Sequence, residues 1–385
     1  MYMSYQEGQV GKLSKRDLLQ AIGAFTGLAA ASYLGISRLN ISPDLSLIRP
    51  RPFEAQRQLP EISDWGSFGS EQINANYDQI LAWYQRMAKA VALKTYSIGQ
   101  SYGTKQKIFT VSSAPIETAG EKTYLAILSR VHPRERTAGA VADAVYYSLI
   151  QQGLPDDFVA VIVPVVNPDG LDREMQVPGT GYKNNHAFAY TYERPAFSDI
   201  TACTNSEEEV PGADINRNFP MGGDPEVKAS YLARASKSNP CSDKFGGDQL
   251  ALEPETQAVM DFIQLLQSVG RVGAVIDFHG YIGKVIRPNH QSTENEKLVN
   301  VYAQSVGYES IPVSYLASQG GTAVDWVAAQ GIPVFGVETQ GGGEGYVAGE
   351  NSRSVKFYED DPAFLRTEIP KHIKATQAVV KALTN

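Results

Sequence analysis

The stretch TYLAILSRVHPRE, residues 123–135, combines an apolar run with an abrupt polar end. Residues 123–131 have the length and the apolar, β-branched content of a strand that is buried on both faces. The run is followed by His132, Pro133, Arg134 and Glu135. Strands of this kind belong to sheets that helices cover, so the stretch predicts an α/β protein.

Three later apolar runs have the same form. They cover residues 158–166, 272–278 and 334–337, and they end in Asn167-Pro168-Asp169-Gly170, in His279 and in Glu338. Helical spacing is found over residues 73–92, 138–151, 255–269, 297–305 and 323–330, and a hairpin is expected from 94–98 and 107–112. The alternation predicts a mixed, mostly parallel sheet with helices on both faces, and such sheets bind ligands at the carboxyl ends of their strands.

The composition narrows the class of protein. The chain of 385 residues carries 34 Lys and Arg against 42 Asp and Glu, a net charge of −8. Because nucleic acids and anionic membranes bind clustered cations, this balance argues against both as partners. The length allows one large domain or two. The candidate site residues run from 132 to 338 and converge on one predicted sheet, so we expect a single catalytic domain. We also expect the protein to be a monomer.

Two of the five histidines follow predicted strands at one edge of the sheet. A turn can aim His132 and Glu135 at one point, and His279 can add a ligand from another strand. Without the other ligands, His132 and Glu135 would be interpreted as a hydrogen-bonded surface pair, and His279 as a buried structural histidine. Together they form a catalytic zinc set, which leaves a fourth position for a water whose pKa the metal lowers. The pattern predicts one Zn²⁺ per chain.

Glu338 is the candidate general base, because it ends an apolar strand at the same edge of the sheet. Glu344, in the loop Gly341-Gly342-Gly343-Glu344-Gly345, is the competing candidate. A rigid strand end positions a catalytic group better than a Gly-rich loop, which favours Glu338.

The stretch 214–220 is a second dense polar cluster. Arg217 together with Asn216 suits a carboxylate, since a guanidinium fork binds one with two parallel hydrogen bonds and an amide adds a donor. Without the metal set, this stretch would be interpreted as a solvated surface loop. With it, we expect a substrate that has a free carboxylate.

The first 31 residues resemble an export signal. Lys12, Lys15 and Arg16 precede an uncharged, Gly- and Ala-rich run at 21–35 that is too short for a comfortable membrane span. Lys15-Arg16 makes it a Lys-Arg variant of a twin-arginine signal, and an amphipathic helix is the alternative. Residues 32–69 are expected to be an extended lead-in. We expect a periplasmic or extracellular protein, where Cys203 and Cys241 could pair, although two free thiols stay possible on spacing alone.

The chain resembles zinc metallocarboxypeptidases of the carboxypeptidase A type over residues 70–385. The motifs that match are His132-x-x-Glu135, Asn-Pro-Asp-Gly at 167–170, Asp-x-Asn-Arg-Asn-Phe at 214–219, His279 and Glu338. The resemblance implies one catalytic domain around a twisted eight-stranded sheet. It implies an exopeptidase that hydrolyses the C-terminal peptide bond, with zinc on His132, Glu135 and His279 and with Glu338 as the base.

The resemblance also implies further site residues. These are Asn216 and Arg217 on the substrate carboxylate, Arg134 toward the upstream residues, Tyr315 as a mobile tyrosine that closes over substrate, and a Cys203–Cys241 disulfide. Two positions depart from the family. Lys183 is the only cation where the family has an oxyanion-stabilising arginine, and Val324 gives the specificity pocket an apolar floor, which favours release of apolar or neutral residues. The segment before residue 70 is shorter than the pro-domain of digestive members, so we expect no zymogen.

Three alternatives stay open. Gly99-Gln100-Ser101-Tyr102-Gly103 matches the nucleophile elbow of serine hydrolases, but that elbow needs strand, sharp turn and helix, and a strand is predicted at 107–112. A relative that acts on murein peptides would keep the same zinc and the same carboxylate clamp. A third possibility is a non-enzymatic protein that binds peptide carboxylates, which the complete set of zinc ligands and base disfavours.

Overall fold

A computed structural model describes residues 59–116, 122–176, 212–220, 245–247, 250–289, 291–315, 321–341 and 361–384. All of them belong to the second of two compact units into which the chain divides, Arg49–Asn385. The first unit, Met1–Ile48, lies outside the described residues, as do the expected export signal and most of the lead-in.

The described residues form helices and strands that alternate along most of the chain. The helices are α1 (Trp65–Ile73), α2 (Tyr77–Val91), α3 (Arg136–Gln152), α4 (Pro168–Gln176), α5 (Pro254–Val269), α6 (Thr293–Val306), α7 (Ala323–Ala329) and α8 (Pro362–Thr384). The strands are β1 (Lys94–Gln100), β2 (Lys107–Ser112), β3 (Thr123–Leu128), β4 (Phe158–Val163), β5 (Arg271–Arg287), β6 (Glu309–Pro312) and β7 (Val334–Gln340). Short 3₁₀ turns occupy Ile215–Arg217 and Val313–Tyr315.

The strands form one mixed sheet in the order β1-β2-β4-β3-β5-β6, with β7 also paired to β5. The pairs β1–β2 and β2–β4 are antiparallel, whereas β3–β4, β3–β5, β5–β6 and β5–β7 are parallel. The predicted mixed, mostly parallel α/β fold is confirmed. The expected count of eight strands differs from the seven that the described part of the chain contains.

Helices cover both faces of the sheet, because side chains alternate between two cores along each central strand. On β3, Leu125 and Ile127 pack in one core with α1, α2, α3, α6 and α8. Tyr124, Ala126 and Leu128 pack on the opposite face, in a core with α5 and α7. This explains why the central strands are continuous apolar runs, as is typical of a sheet buried on both sides.

Several predicted boundaries move. Strand β5 is much longer than the predicted 272–278, and β7 extends past the predicted 334–337, so His279 and Glu338 lie inside strands. Helix α1 starts at Trp65, so the expected domain start at residue 70 falls within a packed helix. Among the described residues, no helix is both long and apolar enough to span a membrane.

Candidate metal centre

Three side chains bring metal-binding atoms to one point. His132 Nδ1 lies 3.0 Å from Glu135 Oε1, and His279 Nδ1 lies 3.1 Å from Glu135 Oε2. The Nδ1 atoms of the two histidines are 3.2 Å apart. All three side chains are buried, and within the described residues they are the group of three whose ligand atoms lie close enough to share an ion.

The outer nitrogens of both histidines are bonded to carboxylates. His132 Nε2 lies 2.9 Å from Asp214 Oδ1, and His279 Nε2 lies 2.9 Å from Asp277 Oδ2. With a metal bound, each Nε2 would donate its hydrogen to the carboxylate beside it, and the lone pair of each Nδ1 would face the ion. The two Nδ1 atoms and the Glu135 carboxylate are thus a set of donor atoms that one cation could share.

The spacing of these atoms fits zinc. Zinc binds nitrogen and oxygen at about 2.0–2.2 Å in a tetrahedron, which places its ligand atoms roughly 3.3 Å apart. The observed separations of 3.0, 3.1 and 3.2 Å agree with this value. The electrostatics also favour a metal ligand at Glu135. Burial would raise the pKa of Glu135, but the two histidines hold it well below its usual range, so this residue is a carboxylate. We therefore assign the three residues as a set that could hold one zinc ion.

The ligands come from the loop that follows β3 and from strand β5. His132 and Glu135 lie on the loop between β3 and α3, and Glu135 is the residue that precedes the first turn of α3. His279 lies on β5, and the backbone N–H of Gly280 donates to Glu135 Oε2 at 3.2 Å. Because β3 and β5 pair in parallel, the loop and the strand meet at one edge.

Glu338 lies beside this set. It is the direct register partner of His279 on the adjacent strand β7, so both side chains project from the same face of the sheet. Burial and the Glu135 carboxylate raise the pKa of the half-buried Glu338 to about 8, whereas His279 and Arg134 act in the opposite direction. A bound dication would lower this raised pKa, since a nearby opposite charge favours the carboxylate form.

Asn216 and Arg217 are next to the metal-binding set. Asn216 Nδ2 lies 3.3 Å from His279 Nε2, and Asn216 Oδ1 accepts from the backbone N–H of Ala323 at 2.9 Å. The guanidinium of Arg217 is buried and donates to the Asn216 carbonyl at 2.7 Å. The structure thus brings the Asn216 amide to the metal-binding set, between α7 and β5, and Arg217 is its buried chain neighbour.

The remaining predicted substrate residues differ in position. Arg134 is partly exposed, on the loop between the two ligands, and its charge favours the ionised form of Glu338. Val324 is 3% exposed and packs in the core that contains Ile215 and Trp326. Tyr315 is 74% exposed at the end of the second 3₁₀ turn.

Ser101 is not the nucleophile of a serine hydrolase. It follows β1 in a hairpin whose next element is the antiparallel strand β2, so the strand-turn-helix geometry of a nucleophile elbow is missing there. Its hydroxyl donates to Asp169 Oδ1 at 2.8 Å, and Asp169 also accepts from the N–H groups of Gly103 and Thr104. Asp169 of the Asn-Pro-Asp-Gly motif therefore anchors the hairpin loop.

Some predicted residues lie outside the described part of the chain. They are Lys183, Cys203, Cys241 and the alternative base Glu344. Conversely, the sequence interpretation missed Asp214 and Asp277. Asp277 lies two positions before His279 on a strand, so a period of two would have placed both on one face. Asp214 is the first residue of the polar stretch that was assigned to substrate alone.

The fold and this site define the class of protein. The sequence matches the zinc carboxypeptidase family over residues 80–359, and the chain belongs to that family.

The similar proteins are distant relatives. Metallocarboxypeptidase A of Trichophyton tonsurans is 23% identical over 283 residues, which cover 68% of this chain and 59% of that protein. Carboxypeptidase A1 of Bos taurus is 25% identical over 179 residues, which cover 43% of this chain and 39% of that protein. The chain thus matches less than two thirds of the length of these relatives.

Solved structures share the fold. Carboxypeptidase A from Helicoverpa armigera superposes with a TM-score of 0.63 at 19% identity, over 81% of this chain and 74% of that one. Bovine thrombin-activatable fibrinolysis inhibitor, in complex with tick carboxypeptidase inhibitor, superposes with a TM-score of 0.60 at 20% identity, over 81% of this chain and 98% of that one.

Proposed function

We propose that the protein is a zinc-dependent exopeptidase that hydrolyses the C-terminal peptide bond of peptides. The observation that carries this proposal is the convergence of His132, Glu135 and His279, with Glu338 as the register partner of His279. Bound zinc would supply a Lewis acid with one open position and a water of lowered pKa. The outer-shell carboxylates of Asp214 and Asp277 hold the two rings for this task.

We assign Glu338 as the general base. Its carboxylate would accept a proton from the attacking water and deliver it to the nitrogen of the leaving amine when the peptide C–N bond breaks. Its place on a strand, beside the metal-binding set, supports this role. The positive charge of Arg134 nearby favours the ionised form that a base requires.

We assign substrate recognition to residues on both sides of the base. Arg217 and Asn216 would bind the free C-terminal carboxylate, Arg134 would contact upstream residues, and Tyr315 would close over the substrate. The apolar Val324 favours apolar or neutral C-terminal residues. The burial of Arg217, next in the chain to the Asn216 that contacts His279, supports a role in binding a carboxylate, because a guanidinium is a stronger donor where water is excluded.

A mixed peptide library, analysed by mass spectrometry after incubation with the zinc-loaded protein, tests the proposal. Stepwise loss of C-terminal apolar or neutral residues is the expected result. Cleavage at internal bonds would contradict it. Activity on murein stem peptides alone would select the alternative in which the same zinc and the same clamp act on cell-wall fragments.

Three further assignments rest on sequence. We propose that residues 1–31 are an export signal, that Cys203 and Cys241 form a disulfide, and that Lys183 stabilises the oxyanion. Intact mass of the exported protein before and after reduction tests the first two, since a cleaved leader and a gain of two hydrogens on reduction are expected. Retention of full activity by Lys183→Met would contradict the third.

A further inference from the structure

A buried ion pair joins the residues before and after the loop that carries His132 and Glu135. It is formed by Arg130 and Asp143. Arg130, two residues before His132, is 3% exposed, and its Nη2 donates to Asp143 Oδ2 at 2.7 Å. Its Nη1 donates to Asp143 Oδ1 at 3.2 Å and to the Pro164 carbonyl at 3.0 Å. The hydroxyl of Tyr84, on α2, donates to the same carboxylate at 2.7 Å. The Asp143 carboxylate therefore has a forked cationic partner and a third donor.

The backbone of Arg130 is in the left-handed region, with φ of +52°. Side chains other than glycine rarely adopt this conformation, so it persists where the surroundings impose it. The turn lies where the chain leaves β3, and the Arg130 carbonyl accepts from Asn167 N–H at 3.2 Å after β4. The conformation of Arg130 thus sets the direction in which the chain enters the segment that contains His132.

The ion pair also fixes the other end of that segment. Asp143 is on α3, the helix that begins immediately after Glu135. Gly139, on the same helix, faces the guanidinium so closely that a Cβ there would lie 2.6 Å from Arg130 Cζ. Arg130 at one end and α3 at the other therefore enclose His132 and Glu135 in a loop that the ion pair closes.

We propose that Arg130, with Asp143 and Tyr84, is a positioning network for the zinc ligands His132 and Glu135. The inference rests on the proposed zinc function. A buried ion pair alone is weak evidence for stability, whereas this pair holds an unfavourable backbone turn at the entry to the ligand loop. Loss of the network should therefore lower zinc affinity even when both ligands are present.

Zinc affinity of the full chain, measured by competition with a chelator of known affinity, tests this role. Arg130→Gly keeps the left-handed turn accessible but removes the ion pair with Asp143. We expect zinc affinity to fall about 10-fold or more, which is the size of effect that supporting residues of metal sites have. This variant also leaves Asp143 buried without its cation, so it should unfold at lower temperature.

The double variant Arg130→Gly, Asp143→Asn separates positioning from stability. Removal of the uncompensated charge should restore much of the thermal stability. Zinc affinity should stay low, because the ion pair that holds the two ends of the ligand loop is still missing. Recovery of zinc affinity together with stability would show a merely structural ion pair and would overturn the proposal.

Gly139→Ala provides an independent test that changes no charge. Alanine usually stabilises a helix interior relative to glycine. Here the added methyl would displace the Arg130 guanidinium, so we expect weaker zinc binding. Ile263→Ala, on α5 in the core that faces away from α3, is the control that should lose stability without loss of zinc affinity.

The outcome for the unchanged protein separates this inference from the proposed function. If the wild-type chain binds no zinc, the proposed function is wrong. If the wild type binds zinc and Arg130→Gly, Gly139→Ala and the double variant all bind it equally well, only the positioning network is wrong.

Discussion

At the scale of single residues, the neighbouring positions of His279 and Glu338 separate two chemical roles, metal binding and proton transfer. One strand contributes a metal-binding imidazole, and its neighbour contributes a carboxylate at the same register position. Glu338 is close enough to influence the set electrostatically, and its charge state depends on Glu135 and His279. A carboxylate in this position is expected to act in proton transfer while the other three residues bind the metal.

Glu338→Gln should therefore separate catalysis from metal binding. The amide cannot accept a proton from water, so kcat should fall about 10²–10⁴-fold while the protein keeps one zinc per chain. Steady-state kinetics together with metal analysis check this expectation. Glu309→Gln, an exposed change of the same type on β6, is the matched control and should leave kcat unchanged. A loss under 10-fold for Glu338→Gln would assign the base to another residue.

The residues that the sequence could predict are those whose role follows from their place after an apolar run. His132, Glu135, His279 and Glu338 were found in this way, and the structure brings them together. Arg130 could not be found, because nothing in an arginine signals a left-handed turn, which the fold imposes through Asp143. The pattern around Ser101 could also be judged from sequence, because the strand predicted at 107–112 disfavours a nucleophile elbow and that strand is present.

At the scale of elements, the C-terminal helix α8 supports the strand that carries Glu338. Glu368 is fully buried on α8, and its Oε1 accepts from the N–H of Gln340, at the end of β7, at 3.2 Å. His372 Nε2 lies 3.1 Å from the same oxygen, and the Tyr308 hydroxyl donates to it as well. Helix and strand are thus joined two residues beyond the proposed base.

This contact predicts an acid-sensitive contribution to stability. Burial alone would raise the pKa of Glu368, but the hydrogen bonds with His372 and Tyr308, together with the charges of His372 and Lys371, lower this pKa from 4.5 to about 2. A lowered carboxylate pKa stabilises the fold above pH 4.5, and the contribution is lost as the pH falls from about 4.5 to about 2. The difference corresponds to about 3 kcal/mol.

Glu368→Gln should lower the free energy of unfolding at pH 7 and flatten its decline at acid pH. Urea denaturation at a series of pH values between 7 and about 3 measures both effects. Glu71→Gln, an exposed change on α1, serves as the control and should follow the wild-type curve. An unchanged pH profile for Glu368→Gln would contradict the assigned role of this buried network.

The elements that sequence periodicity missed have identifiable reasons. Helix α8 contains Pro370 in its interior, which normally marks a helix end. Helix α1 has two glycines in nine residues and low intrinsic propensity. It forms because Gly69 lets Leu365 and Ile369 of α8 approach closely. In both cases tertiary packing outweighs local preference.

At the scale of the whole molecule, one sheet with two buried faces places the metal-binding set on a rigid support. The set lies on the face that α5 and α7 cover, where Asp277 and His279 alternate with residues such as Phe278 of the opposite core. Because the ligands come from residues 132 to 279, zinc binding links distant parts of the chain.

Zinc should therefore stabilise the folded protein. A ligand that binds only the native state at about 1,000 times its Kd contributes roughly 4 kcal/mol, so removal of zinc by a chelator should lower Tm by about 5–10 °C. Thermal unfolding of the zinc-loaded and chelated protein checks this. Glu338→Gln should show the same shift, since it is not a ligand, whereas Glu135→Gln should show a much smaller one. Equal Tm values for the loaded and chelated wild type would be evidence against the site.

The central claim, that the zinc-loaded protein removes residues from a free C-terminus, is tested most directly by two matched peptides. Both end in the same apolar residue, one with a free carboxylate and the other with an amide, and kcat/KM is measured for each. We predict that the peptide with the free carboxylate loses its last residue. The kcat/KM of the amidated peptide should be lower by a factor of about 100 or more, because the amide leaves the buried Arg217 without an anionic partner. Equal cleavage of both peptides, or cleavage that a chelator does not affect, would contradict the claim.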